Sequence, residues 1–277
     1  MDTQLFATRL TTTFVDPRSP QAPLPGLQDV VDSTEGMSTA HSLTVLSLAV
    51  SGLGADEIYL EVGSYRGRSL IGALRHNPEV HAIGIENFGE FDAGAAAKAS
   101  LETALQSAGV ADRVRLIYVD AFAFLARAEF EAPVGVYFYD GVHSAYGQYA
   151  GLGLAERHLA DHAIVIVDDA SWPQVARATN QYMERHNGYT LIHEFPADTQ
   201  DDPVWCNGLR VYEWNRPAGW QPPGRDVTVR AALQSHITGP ARSLAWRTLG
   251  RHPKVMATVR RIVTGGSTTV PNQRDPS

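Results

Sequence analysis

From Ile58 onward, short β-branched runs alternate with helix-length amphipathic segments, the pattern of a parallel sheet with crossover helices. The runs Glu57–Val62, Val80–Ile85, Val114–Val119, Val134–Tyr139 and Ala163–Val167 predict five strands. Helices are expected near Gly67–Arg75, Asp92–Ala108, Ala121–Arg127, Tyr146–Leu159 and Trp172–His186. Ahead of the first strand, a serine precedes Leu43, Leu46, Leu48 and Ala49, so Ser38–Ser51 reads as a capped helix. After the fifth unit the rhythm changes. Tyr189–Phe195 and Asn207–Trp214 are strand-like runs joined by Pro196–Trp205 without a helical pattern, which predicts an antiparallel pair with a long loop. The expected fold class is α/β: a doubly wound, Rossmann-like sheet of seven strands, mostly parallel and finished by a C-terminal β-hairpin.

This pattern leaves two ends outside the sheet. Residues 1–34 hold Pro17, Pro20, Pro23 and Pro25 with little periodicity and read as an N-terminal arm or lid, residues 35–216 as one α/β domain, and 217–277 as a basic extension. That extension carries a helical stretch around Ala241–Ile262 and a Gly/Ser/Thr/Pro tail expected to be disordered. Charge supports the division, since nine Lys or Arg face two acids from Arg225 onward, whereas the whole chain of 277 residues has a net charge of −7. An acidic α/β domain argues against nucleic acid as a partner, because each phosphate contact needs a cation. Cys206 is the only cysteine, which rules out an intrachain disulfide or a thiolate metal cage and fits a reducing cytoplasm. No secretory or transit signal and no bilayer-length apolar run is evident, so no membrane association is expected; a homo-oligomer is left open.

Candidate chemistry gathers at the carboxyl ends of the strands, where doubly wound sheets bind ligands. Glu61, Gly63 and Gly67 follow the first strand and open a helix with the spacing E-x-G-x-x-x-G, not the G-x-G-x-x-G that wraps a pyrophosphate. A leading carboxylate would repel phosphate and suit a cationic amino-acid moiety, although the glycines would also serve a tight turn. Glu86, after the second strand, can accept hydrogen bonds from both hydroxyls of a ribose. Asp120 and Ala121, after the third, offer a polar side chain and backbone N–H groups for an adenine edge, or a helix cap. Asp140 after strand four and Asp168 with Asp169 after strand five make a cluster of like charge that a divalent cation would relieve. Oxygen-only ligands suit Mg²⁺. His143, three residues past Asp140, has the ordinary pKa of a general base near neutrality, against the plainer reading of a packed loop histidine. Trp172, Trp205 and Tyr146 are candidates for an acceptor pocket or for core packing; His41, His76, His158 and His186 lie on helices or their ends and read as structural or solvated.

Together, Glu61-Val-Gly-Ser-Tyr-Arg-Gly-Arg-Ser69, Glu86, Asp120-Ala121, Asp140 and Asp168-Asp169 resemble the class I S-adenosylmethionine-dependent O-methyltransferases. Within these they are similar to the catechol O-methyltransferase-like group and the bacterial sugar and macrolide O-methyltransferases. The resemblance covers about Glu35 to Trp214 and implies that S-adenosylmethionine contacts Glu61, Gly63, Ser64, Tyr65, Ser69, Glu86, Asp120, Ala121 and Asp140. Met37, in Glu35-Gly-Met37-Ser, falls where sugar-modifying members cover the cofactor. It further implies Mg²⁺ on Asp140, Asp168 and Asp169, and His143 where catechol-type enzymes carry a lysine base. The expected activity is O-methylation of a small-molecule hydroxyl, of a sugar, macrolide or other secondary metabolite, as in natural product biosynthesis. A metal-independent methyltransferase with a histidine base and a non-catalytic adenosyl-binding protein are the alternatives; the glycine spacing disfavours a nicotinamide-dependent oxidoreductase.

Overall fold

The computed structural model describes residues 1–89 and 94–238. Seven strands form one sheet: β1 Ile58–Val62, β2 Ala82–Ile85, β3 Val114–Ile117, β4 Val134–Tyr139, β5 Leu159–Val167, β6 Tyr189–Phe195 and β7 Leu209–Asn215. Their order is β3-β2-β1-β4-β5-β7-β6; the first five are parallel, and β7 pairs antiparallel with both β5 and β6. The order reverses between β1 and β4, so the crevice beyond their carboxyl ends is the place such a sheet offers a ligand.

The predicted seven-strand α/β sheet with its terminal hairpin is the architecture observed. All six residues of β4 are buried, as expected of a central parallel strand covered on both faces. The layer on one face holds α1 Thr3–Thr13, α2 Leu27–Ser33, α3 Ala40–Val50, α4 Arg68–Leu74 and α5 Gly94–Ser107. Every residue of α3 is buried, because it lies between the sheet and its neighbours α1, α2 and α4. The other layer holds α6 Ala121–Leu125, α7 Ala145–Glu156, α8 Pro173–Arg185 and α9 Arg225–Leu233.

Several boundaries differ from expectation by one to four residues. The cap of α3 is Thr39, which accepts from the Ser42 N–H at 3.2 Å, rather than Ser38. Helix α7 stops at Glu156 and β5 begins four residues early, at Leu159, after a shift in its register with β4. Asp161 and His162, polar and exposed at that end, conceal the extra strand length from a hydrophobic pattern. The N-terminal segment is packed rather than standing off as an arm. Phe6 and Leu10 of α1 are buried against the core, the Trp205 indole N–H donates to the Pro17 carbonyl at 2.7 Å, and Arg18 pairs with Asp202 at 3.0 Å. The helix expected at Ala241–Ile262, the tail beyond it and the expected α5 start at Asp92 lie outside the described residues. Among the described residues no helix is long and apolar enough to cross a membrane.

Candidate functional site

The turn between β1 and α4 is dictated by its glycines. Gly63 has φ +93°, and a Cβ there would lie 1.9 Å from the Asp140 carbonyl oxygen, so only glycine lets the β1 and β4 loops approach. Gly67, at φ +89°, caps α4, and its N–H closes the turn on the Ser64 carbonyl at 2.7 Å. Between them Tyr65 is also left-handed, at φ +42°, a conformation costly for a side-chain-bearing residue.

Glu86 holds that turn in place. One carboxylate oxygen accepts the Tyr65 N–H at 2.7 Å, and the other accepts the N–H of Phe88, itself at φ +52°, at 2.6 Å. Each oxygen keeps a lone pair, and the side chain stays only half-buried, so it can still receive a diol. Glu61 sits beneath the turn rather than on its surface. It is fully buried and accepts from the Tyr59 hydroxyl at 2.6 Å and from Ser69 Oγ at 2.8 Å. Burial lifts its pKa from 4.5 to about 7, with the Tyr59, Ser69 and Ser64 hydroxyls acting in the opposite direction. Glu61 and Ser69, both expected to contact a cationic ligand, are buried beneath the turn and hydrogen-bonded to each other. Tyr59 was not singled out from sequence; its place two residues before Glu61, on the same face of the strand, was the available clue.

Above the turn, Glu35, Gly36, Met37, Tyr65, Arg66 and Arg68 line a recess of about 330 Å³. Arg68 donates to the carbonyls of Thr34 at 2.7 Å and of Val31 and Ser38 at 3.0 Å, fixing the segment that carries Met37, while Glu35 pairs with Arg66. Met37 is 55% exposed, an apolar side chain left open at the rim of the recess. At the end of β3, Asp120 caps α6 through the Ala123 N–H at 2.8 Å, with Ala121 partly buried next to it.

The ends of β4 and β5 bring a different set together. His143 Nε2 lies 3.3 Å from Asp140 Oδ1 and 3.2 Å from Asp169 Oδ2, and ligand atoms of these three residues fall within 4.8 Å of one another. The trio expected from sequence was Asp140, Asp168 and Asp169. In the structure His143 completes the tight group with Asp140 and Asp169, while Asp168 faces Asp140 from outside it. Burial, partly offset by His143, lifts Asp140 from 3.8 to about 6, and burial with the charges of Asp140 and Asp169 pushes Asp168 well above the usual carboxylate range. Asn207, two residues before β7, donates from Nδ2 to Asp169 Oδ1 at 2.9 Å, and Trp172 packs edge-on against the His143 ring at 5.3 Å. Asn207 carries no sequence clue beyond its position. Of the suggested acceptor walls, Trp172 borders the site and Tyr146 is 39% exposed near it, whereas Trp205 belongs to the aromatic core with Phe14, His41 and Phe195.

Residues 60–170 match the sequence model of a family described as a methyltransferase domain. No curated protein matches the chain in sequence. Among solved structures, the chain is similar to cofactor-bound Rv0187 from MTB, at 20% identity and a TM-score of 0.51, covering 74% of this chain and 94% of that one. It is similar to an O-methyltransferase from Bacillus cereus in complex with S-adenosylhomocysteine, at 13% identity, a TM-score of 0.53 and coverage of 76% and 96%. A protein from Corynebacterium glutamicum resembles it at 14% identity, a TM-score of 0.54 and coverage of 76% and 97%. At these identities the likeness is one of fold.

Proposed function

We propose that the chain, whose residues 60–170 match the model of a methyltransferase domain, is a class I methyltransferase that moves a methyl group from S-adenosylmethionine to a small-molecule hydroxyl. The observation that carries this reading is the juxtaposition of a glycine turn braced by Glu86 with a carboxylate–imidazole group across the same crevice. Glu86 would accept from the ribose hydroxyls and the Gly63–Tyr65 backbone would border the amino-acid end of the cofactor. Met37 would cover the cofactor, and Asp120 with Ala121 would meet the adenine edge.

The transfer is a displacement in which a hydroxyl oxygen attacks the sulfonium methyl group, the carbon–sulfur bond breaks and the hydroxyl proton leaves. Holding both reactants in line is the protein's main contribution, worth about 7–11 kcal/mol in well-oriented systems. His143 would take the proton, and the imidazolium formed would be stabilised by Asp140 and Asp169, 3.3 and 3.2 Å from its Nε2. The site also fits a divalent cation, since buried carboxylates pushed up in pKa face one another with nitrogen and oxygen donors inside one ligand sphere. Asp140 and Asp169 would hold it, with His143 or Asp168 completing the set. A bound Mg²⁺ or related ion would supply Lewis-acid polarisation of the acceptor oxygen. One observation favours the metal-independent form of the same reaction: His143 already lies where a cation would offset the two acids.

Calorimetric titration with S-adenosylhomocysteine, with Mg²⁺ and with chelator, tests the reading. One cofactor product bound per chain is expected, with tighter binding or a separate metal isotherm when Mg²⁺ is present. A chain that binds neither S-adenosylhomocysteine nor S-adenosylmethionine would refute it.

A further inference from the structure

The loop bearing His143 is anchored from outside the matched domain. Helix α9 lies 55 or more residues beyond the end of the methyltransferase match at residue 170, yet it packs on α7. Val227 is buried against Gly153, where an added Cβ would come within 2.4 Å of it. The Tyr149 hydroxyl donates to Asp226 at 2.6 Å, and the Arg230 guanidinium lies over the Tyr149 ring at 4.2 Å. Past Leu233 the chain widens into a π-turn, Gln234–Thr238, and Gln234, only 3% exposed, reaches the Ser144 hydroxyl. Ser144 is the residue after His143 and the cap of α7.

Both sides of that hydroxyl are engaged. It donates its proton to Gln234 Oε1 and accepts the Gly147 N–H at 3.0 Å, so its orientation is fixed at the point where the loop enters α7. A serine cap alone holds the helix end; a cap whose proton is also captured by a buried amide ties the loop to a second helix. Only three residues lie between Asp140 and Ser144, so this tie acts directly on the segment whose imidazole must lie between Asp140 and Asp169.

We propose that Gln234 is a positioning residue: through Ser144 it sets the place of the His143 ring, making α9 part of the reacting site rather than an appendage to it. The proposal rests on the methyltransferase reading for its meaning, but its test needs neither acceptor nor turnover. Side-chain ¹⁵N spectra of the full chain, with the His143 resonances identified by their loss in His143→Asn, read the ring directly. Gln234→Leu keeps the volume and removes the acceptor; it is expected to shift or double the His143 resonances and leave those of His158 in place. Ser144→Ala should move the same resonances, and Gln234→Leu added to it should move them no further. Unchanged His143 resonances in Gln234→Leu, even with a lowered melting temperature, would overturn the proposal, as would additive shifts in the double variant. If Gln234→Leu does not fold, Ser144→Ala decides alone, and an unmoved His143 signal there overturns it. Affinity for S-adenosylhomocysteine is expected to stay within about twofold in all three variants; a wild-type chain that does not bind it would refute the methyltransferase reading while leaving this result standing.

Discussion

The two halves of the crevice treat their acids in opposite ways. In the β1–β2 half every carboxylate oxygen meets a donor: Glu61 has the hydroxyls of Tyr59 and Ser69, and Glu86 has the backbone N–H groups of Tyr65 and Phe88. In the β4–β5 half Asp140, Asp168 and Asp169 face one another, with a single imidazole among them. The first arrangement fixes a shape before any ligand arrives, and the second holds a charge imbalance that a cation, a proton or a reacting group can relieve. Removing an acid should therefore damage the first half and relax the second.

The largest effect is expected where the halves touch. Gly63→Ala places a methyl group against the Asp140 carbonyl in a backbone conformation that disfavours it, and should lower stability by about 3 kcal/mol or more, seen as a lower urea midpoint. A comparable term appears with pH. Glu61 titrates at about 7 rather than 4.5 and Asp140 at about 6 rather than 3.8, so the folded chain holds these protons more tightly than the unfolded one. Stability from both groups is then greatest at low pH and is lost as the pH rises through about 4 to 7. Glu61→Gln should remove a slope of up to about 3 kcal/mol across that window, measured by denaturation at a series of pH values.

Next in size, Glu86→Ala frees two left-handed residues and removes the acceptor for a diol. Affinity for S-adenosylhomocysteine should fall by about 2 kcal/mol, roughly thirtyfold, in calorimetry. The smallest effect has the opposite sign. Asp140→Asn in the presence of chelator at neutral pH should raise stability by about 1 kcal/mol, because it relieves a buried charge among like charges. If Asp140→Asn and Glu86→Ala were both destabilising by similar amounts, the contrast between the halves would be lost.

How far the sequence discloses this arrangement follows from what hydrophobic patterning can record. β2 and β4 are legible because parallel strands buried on both faces read as unbroken apolar runs, β1 and β3 because their runs are broken by a single charged residue, and the hairpin because two strand-like runs flank Pro196–Trp205 without a helical period. The helix Thr3–Thr13 is not legible: five of its eleven residues are threonines, and its buried Phe6 and Leu10 make a single pair at helical spacing. The strand-end acids are legible as residue types at the carboxyl ends of strands. Most of their partners are not: Tyr59 is within reach of the pattern, two residues before Glu61 on one strand, but Asn207 and Gln234 enter by packing from distant elements, and His143 joins Asp140 and Asp169 through loop geometry that no hydrophobic period records.

The most direct test of the contrast is a crystal structure of the chain with S-adenosylhomocysteine and Mn²⁺. The expected result is the nucleoside with its ribose hydroxyls on Glu86 and anomalous scattering from Mn²⁺ bound by Asp140 and Asp169, with the Tyr65 turn unmoved. A nucleoside lodged away from Glu86, or an ion bound elsewhere while His143 still lies between the two aspartates, would contradict it.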